Sequence, residues 1–220
     1  MHATSTPRVK ICCISSLAEA RAAIDAGAAA LGLVSAMPSG PGVIDEPLIA
    51  RLAAATPPPV AAFLLTSRST PAEIIDQQRR LGAGVLQLCD DLPPGAHGEL
   101  RTALPGIRLV QVIHVRDESS IAAAVRVAPL VDALLLDSGN QQLAVKELGG
   151  TGRRHDWALS RRIREAVDVP LFLAGGLNCG NVREAIETVG PWGLDVCSGV
   201  RTGGQLDVAK LESFFAAVRG

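Results

Sequence analysis

The 220-residue chain carries 21 Lys and Arg against 22 Asp and Glu, a net charge of −1, with 48% hydrophobic residues. This balance offers no electrostatic case for nucleic acid or an anionic membrane, no apolar run nears the roughly 20 residues of a spanning helix, and the opening MHATSTP lacks the basic start and apolar centre of a signal peptide. The five cysteines are odd in number and scattered without a CxxC pair, which supports neither a disulfide framework nor a zinc site and favours a reducing cytosol.

In chain order, short apolar runs alternate with helical patterns. A strand over Val9–Cys13 precedes an Ala-rich helix that starts after Ser15-Ser16 and stops at Gly27. Ala30–Val34, the loop MPSGPG and a helix from about Asp45 to Thr56 follow. Val60–Leu65 is the third strand, and its helix is opened by Ser69-Thr70-Pro71 and closed at Gly82. Val85–Leu88 leads through a proline- and glycine-rich segment to a short helix near Glu99. Then come Leu109–Val115, a helix from Ser119, and Ala133–Leu136. A long loop from Asp137 to Asp156 precedes a helix at Trp157–Val167; its length marks it as functional or mobile. Leu171–Ala174, a helix opened by Asn178 and Leu194–Cys197 complete the pattern. Eight β-then-α units without a composition break predict an α/β chain folded as one closed, parallel (β/α)8 TIM barrel over 9–220. Residues 1–8 read as a disordered or loosely ordered extension.

Two turns near the C-terminus carry the first functional signal. The strand ending at Ala174 runs into Gly175-Gly176, and the last strand runs into Ser198-Gly199-Val200. Neither turn carries a bulky or acidic side chain, so backbone N–H groups can converge on an anion. Glycines at either site alone would read as tight connections. Two of them, one strand–helix unit apart at the end of a barrel, match a phosphate grip after the last two strands.

Strand alternation places further chemistry. Lys10 and Cys12 share one face, Ile11 and Cys13 the other. A lysine sits poorly against a helix layer, so Lys10 and Cys12 are expected inside the barrel, with Lys10 paired to Asp195 of the adjoining last strand. Asp137 follows three leucines at the end of the sixth strand, where a barrel presents a catalytic carboxylate. Alone, Cys12 reads as a small buried hydrophobe and Asp137 as a turn residue. Facing a phosphate grip together, they read as a base and an acid.

Lys10-Ile11-Cys12, the run Leu134-Leu135-Leu136-Asp137, Gly149-Gly150-Thr151-Gly152 with Asp156-Trp157, Leu173 to Asn178 and Asp195 to Val200 stand in an order that resembles the phosphoribosylanthranilate isomerase family of tryptophan biosynthesis. The similarity runs from about Val9 to Val218. It implies a cofactor-free and metal-free barrel, cytoplasmic, monomeric or homodimeric, that binds a small phosphorylated sugar. The implied reaction is an Amadori rearrangement of an N-ribosyl aminoaldose phosphate to the 1-amino-1-deoxyribulose phosphate. By the same resemblance Asp137 is the general acid at the furanose ring oxygen and Cys12 the general base at C2. Gly175, Gly176, Ser198 and Gly199 would hold the phosphate.

The sequence departs from that pattern around the aglycone. Cys13 stands where the family usually has glycine, and Gly40-Pro41-Gly42 replaces a Ser-Pro-Arg motif whose arginine is the usual partner of the anthranilate carboxylate. Gln87-Leu88-Cys89-Asp90 replaces Gln-Leu-His-Gly, and Arg201 stands where glutamate is common. Three cations, Arg153, Arg154 and Arg201, are candidates to replace the missing arginine. Two alternatives stay open: a diverged isomerase of another phosphorylated aminosugar or ketose, and a non-catalytic phosphate-ligand-binding paralogue. His2 and His97 read as solvated, His114 as facing either the pocket or the helices, Cys179 as a thiol made somewhat acidic by a helix start but with nothing nearby to make it a nucleophile, and Trp157 as core. With no tyrosine in the chain, Trp157 and Trp192 are the principal rings available for stacking on a planar substrate.

Overall fold

The computed structural model describes residues 6–139 and 154–220. Eight parallel strands close into a barrel in chain order: β1 (Arg8–Ile11), β2 (Ala30–Val34), β3 (Ala61–Thr66), β4 (Val85–Leu88), β5 (Arg108–His114), β6 (Ala133–Asp137), β7 (Leu171–Leu173) and β8 (Gly193–Val196). Closure is made where β1 lies against β8, with Lys10 opposite Asp195. The outer layer is α1 (Leu17–Ala26), α2 (Glu46–Ala55), α3 (Pro71–Leu81), α4 (Ala96–Ala103), α5 (Ser119–Val127), α6 (Trp157–Ala166), α7 (Val182–Val189) and α8 (Val208–Arg219). A small hairpin, β9 (Arg201–Thr202) with β10 (Gln205–Leu206), joins β8 to α8.

Local chemistry sets the boundaries. Ser16 caps α1 by accepting from the Glu19 amide, and Gly27, at φ 109, ends it in the left-handed conformation that costs glycine little. Asp45 caps α2 through the Leu48 amide, and Pro71 opens α3. The period-two alternation of the strands then sorts the interior into two clusters. Leu31, Leu33, Leu64, Leu86, Leu134, Leu136 and Leu194 face the helices in the larger one. Cys12, Phe63, Leu65, Cys89, Val112, Leu135 and Phe172 fill the barrel.

Several expectations are corrected. Arg8 already belongs to β1, opposite Gly193, so it is part of the barrel and not of an N-terminal extension; residues 1–5 lie outside the described residues. β1 stops at Ile11, and Cys13 takes φ 63. This left-handed residue breaks the alternation, so Cys13 joins Cys12 in the inner cluster instead of facing the helices with Ile11. The helix expected from Asn178 begins at Val182; Asn178–Asn181 form a turn before it. His97 is buried on α4, its Nε2 3.1 Å from Gln111 Oε1, not solvated. Trp157 is buried as expected. Trp192 lies at the start of β8, at the barrel end opposite Asp137, packed edge-on to Phe172.

Candidate active site

The C-terminal strand ends open into a cavity of ≈ 660 Å³, counted to its open mouth. Cys12, Asp137, Gly175, Gly176 and Ser198 all line it. Four strands far apart in sequence thus bring the expected base, acid and anion turns to one place. Gln87 and Cys89 of the β4 rim, with Cys13 and Cys197, complete the polar and sulfur-bearing part of the wall; Val34, Met37 and Leu65 supply an apolar side.

Beneath Cys12 sits the Lys10–Asp195 pair. Lys10 is fully buried, and its Nζ lies 2.9 Å from Asp195 Oδ1, an ion pair held away from water. Burial pulls the ammonium's pKa down, but the charge of Asp195 and the thiols of Cys12 and Cys13 outweigh it and hold Lys10 charged, above the usual lysine range. Its Nζ also lies 3.7 Å from Cys12 Sγ, so a negative charge forming on that sulfur meets a cation. Room for this arrangement comes from Gly32 on β2. A Cβ there would sit 2.8 Å from Cys12 Sγ and 3.2 Å from Lys10 Cε. The sequence reading passed over Gly32, because a lone glycine within a strand announces a close approach but not its partner.

Asp137 ends β6 opposite His114 of β5. Its Oδ1 accepts from the Ser138 amide at 2.7 Å. Strand parity resolves His114: Val110 and Val112 belong to the barrel interior, so His114 points inward, where its Nε2 lies 3.1 Å from the Cys89 carbonyl. Burial pushes the Cys89 thiol up, so Cys89 is an interior wall group.

The glycine turns fit together through left-handed backbone and close backbone contact. Gly175 and Gly176 have φ of 84 and 67, which side-chain-bearing residues rarely adopt. The amides of Asn178 and Asn181 side chains both donate to the Gly176 carbonyl, at 3.3 and 3.0 Å, which fixes the peptide plane of the turn. A Cβ on Gly199 would overlap the Leu177 carbonyl, so only glycine lets the two turns lie in contact. Among the described residues the N–H groups of Gly175, Gly176, Ser198 and Gly199 donate to no protein acceptor. Unpaired amides at a partly exposed rim are ready donors for an anion.

The three candidate arginines fare differently. Arg201 turns away from the cavity. Its guanidinium forks onto Glu19, Nη1 to Oε1 at 2.9 Å and Nη2 to Oε2 at 3.1 Å, and also donates to the carbonyls of Cys12 at 3.2 Å and Cys13 at 2.6 Å. Burial works against the Glu19 carboxylate, but Arg201 with the amides of Leu206 and Ser15 holds it below the usual range. Arg201 is therefore a strut behind Cys12 and Cys13, outside the cavity lining. Arg154 stacks 3.5 Å from the centroid of the Trp157 ring and pairs with Glu184 at 2.9 Å, outside the cavity lining. Arg153, and the Gly149–Gly152 motif, lie outside the described residues. Among the described lining residues none carries a cationic side chain.

Comparison with known proteins agrees with this geometry. The family model for N-(5'phosphoribosyl)anthranilate (PRA) isomerase matches residues 9–217. The N-(5'-phosphoribosyl)anthranilate isomerase of Halobacterium salinarum is 38% identical over 213 residues, covering 95% of this chain and 94% of its own length. That of Methanocella arvoryzae is 36% identical over 193 residues, 88% of each chain. A solved phosphoribosyl anthranilate isomerase in complex with reduced 1-(o-carboxyphenylamino)-1-deoxyribulose 5-phosphate superposes with TM-score 0.80 at 27% identity, covering 97% of this chain and 98% of that one. The Thermotoga maritima enzyme gives 0.82 at 28%, with the same coverage. Motif order, barrel and cavity lead to one assignment: the chain belongs to the N-(5'-phosphoribosyl)anthranilate isomerase family.

Proposed function

We propose that this cavity carries out the family's Amadori rearrangement with Cys12 as general base and Asp137 as general acid. The chain is an aldose–ketose isomerase of tryptophan biosynthesis, converting N-(5-phosphoribosyl)anthranilate to 1-(2-carboxyphenylamino)-1-deoxyribulose 5-phosphate. The observation that carries the assignment of roles is that Cys12, Asp137 and the two glycine turns line one cavity.

The steps follow from that layout. The turn amides of Gly175, Gly176, Ser198 and Gly199 hold the 5-phosphate, which fixes the sugar in register with the two side chains. Asp137 gives a proton to the ring oxygen; the C1–O bond breaks and the nitrogen lone pair forms the C1 imine. Cys12, as thiolate beside the Lys10 ammonium, takes the C2 proton, and the electrons move to give an enamine. Tautomerisation of that enaminol leaves the C2 ketone and the C1 amine. Acid and base act at neighbouring positions of one anchored chain, which suits a pair of opposed groups. The aglycone would lie along the apolar wall of Val34, Met37 and Leu65. No step calls for a cofactor or metal. We place the protein in the cytosol, as a monomer or homodimer; a Thermotoga maritima relative is described as dimeric, with monomers generated from it.

One observation keeps a second reading, a relative acting on another phosphorylated aminosugar or ketose, in view. Gly42 replaces the family arginine, and the described lining offers no substitute cation. A charge-assisted bond is worth about 1.5–3 kcal/mol, or tenfold to over a hundredfold in binding. The test is steady-state turnover of phosphoribosylanthranilate beside an analogue without the carboxylate. Turnover with a preference for the carboxylate supports the reading, and Arg153→Ala should then weaken that preference. Absence of any turnover overturns the assignment. Equal turnover of the two compounds moves the diverged-substrate reading ahead.

A further inference from the structure

Two cysteines that the mechanism does not use meet at the rim beside the catalytic one. Cys13 Sγ and Cys197 Sγ are 2.8 Å apart, about 0.8 Å longer than the ~2.05 Å of a disulfide bond. They come from neighbouring strands, just past the ends of β1 and β8, where backbones run about 4.8 Å apart. Both line the same cavity as Cys12. The contact depends on two departures already described. Left-handed backbone at Cys13 swings its side chain inward, and Gly42 leaves the space it fills, since a Cβ on Gly42 would overlap the Cys13 side chain. In the family pattern a glycine at the first position and an arginine at the second would leave neither the thiol nor its berth. Cys13 and Gly42 are one size exchange across the mouth.

We propose that Cys13 and Cys197 are a modification site, a dithiol that small disulfides oxidise to a cross-link in the wall of the mouth beside Cys12. The inference rests on the reading of this cavity as the isomerase site only for its effect on turnover; the cross-link itself stands or falls separately. In the first step the Cys197 thiolate attacks one sulfur of a small disulfide, forming a mixed disulfide and releasing one thiolate, which takes up the Cys197 proton. Cys13 then loses its proton and displaces the second small thiol from Cys197. The net change is two protein thiols and one small disulfide giving one protein disulfide and two small thiols; the protein loses two electrons and two protons, and the small disulfide gains both. The order of attack follows from exposure and charge. Cys197 is partly exposed, whereas Cys13 is buried. Contact with the Cys13 thiol, against the effect of burial and helped by the Arg201 charge, holds Cys197 below the usual thiol range. Contacts with Cys12 and Cys197, together with burial, hold Cys13 above it. The more acidic and more accessible thiol is the one that attacks. Once closed, the bridge draws the adjoining ends of β1 and β8 about 0.8 Å closer beside Cys12, which shifts that thiol from the position in which it takes the proton.

The test uses the full chain, reduced and then exposed to oxidised glutathione. Peptide mapping after alkylation should show a Cys13–Cys197 cross-link, with turnover of phosphoribosylanthranilate falling at least tenfold in step with it and returning on treatment with dithiothreitol. Cys13→Ser and Cys197→Ser should each abolish the cross-link and keep their own untreated turnover through the oxidation; Cys179→Ser, which removes the exposed thiol, should behave as the native chain. Circular dichroism checks that the variants are folded, and either serine variant alone suffices. Mapping that finds no cross-link, or one that joins Cys12 or Cys179 instead, overturns the proposal. A Cys13–Cys197 bridge that forms with turnover undiminished overturns its effect on Cys12. A reduced native chain with no turnover but the same bridge would count against the isomerase reading and for the dithiol.

Discussion

The two ends of the barrel are built from the same eight strands but on opposite terms. At the N-terminal end, Phe63, Phe172 and Trp192 pack edge to face, at 5.8 and 5.2 Å between ring centroids, and Arg8 lies 5.6 Å from the Trp192 ring. These are aromatic contacts, one of them with a guanidinium, on backbone without positive φ. At the C-terminal end a buried ion pair, a left-handed cysteine, paired glycine turns and unpaired amides share one mouth. The comparison teaches that the chain places aromatic packing at one end and accepts strain and buried charge at the end we propose for the chemistry. A left-handed residue with a side chain costs about 1–2 kcal/mol, and buried charges are tolerated only when paired.

Breaking the mouth should therefore cost more per substitution than comparable changes elsewhere. The largest effect on stability is expected from Lys10→Met, which leaves Asp195 uncompensated in the interior: about 3–5 kcal/mol, read as a fall in the denaturant midpoint. An unchanged midpoint would show that the pair is not buried as described. Arg201→Ala should cost about 3 kcal/mol by stranding Glu19, and it should lower kcat more than it raises KM, because the guanidinium holds the carbonyls of Cys12 and Cys13. Retained kcat with lowered stability would reduce Arg201 to a purely structural brace.

His155 offers a pH test outside the mouth. Burial, helped by Arg154 and opposed by Asp156, lowers its pKa to about 4, while the unfolded value is about 6.5. The unfolded chain therefore binds a proton that the folded chain refuses across this window. Stability from this group is complete above pH 6.5 and is lost as pH falls toward 4, about 2 kcal/mol of it by pH 5. Thermal unfolding of native protein and His155→Gln at several pH values should show a shallower decline in the variant; parallel curves would contradict the assignment. The smallest stability effect is expected from Gly32→Ala, about 1–2 kcal/mol of crowding. Its signature is kinetic: the new methyl displaces Cys12 Sγ and should lower kcat at least tenfold with the fold intact. Unimpaired turnover would mean that the thiol is not where the base must be.

Much of this was readable from residue patterns. Ala30–Val34 and Val85–Leu88 are apolar enough to be buried on both faces, and Ser16, Asp45, Pro71, Gly27 and Gly82 punctuate their helices by chemistry that needs no tertiary context. The Lys10–Asp195 pair followed from parity, since both positions alternate with apolar neighbours. Parity then misled one step later, because a positive φ at Cys13 cannot be inferred from a residue type that rarely adopts it. Arg201 looks like an aglycone contact from sequence because its actual partners, Glu19 and two backbone carbonyls, come from the other end of the chain. Contacts across 182 positions of sequence leave no local signal.

The most direct measurement of the central claim is a pair of steady-state profiles on phosphoribosylanthranilate, for Cys12→Ala and for Asp137→Asn, each beside the native enzyme. Acid and base acting at separate bonds should each be required, so each variant should lose about 10²–10⁴ in kcat with KM little changed. A Cys12→Ala enzyme that keeps most of its turnover would contradict the account, and would hand the C2 proton to another group at the mouth, with Cys13 and His114 the first to examine.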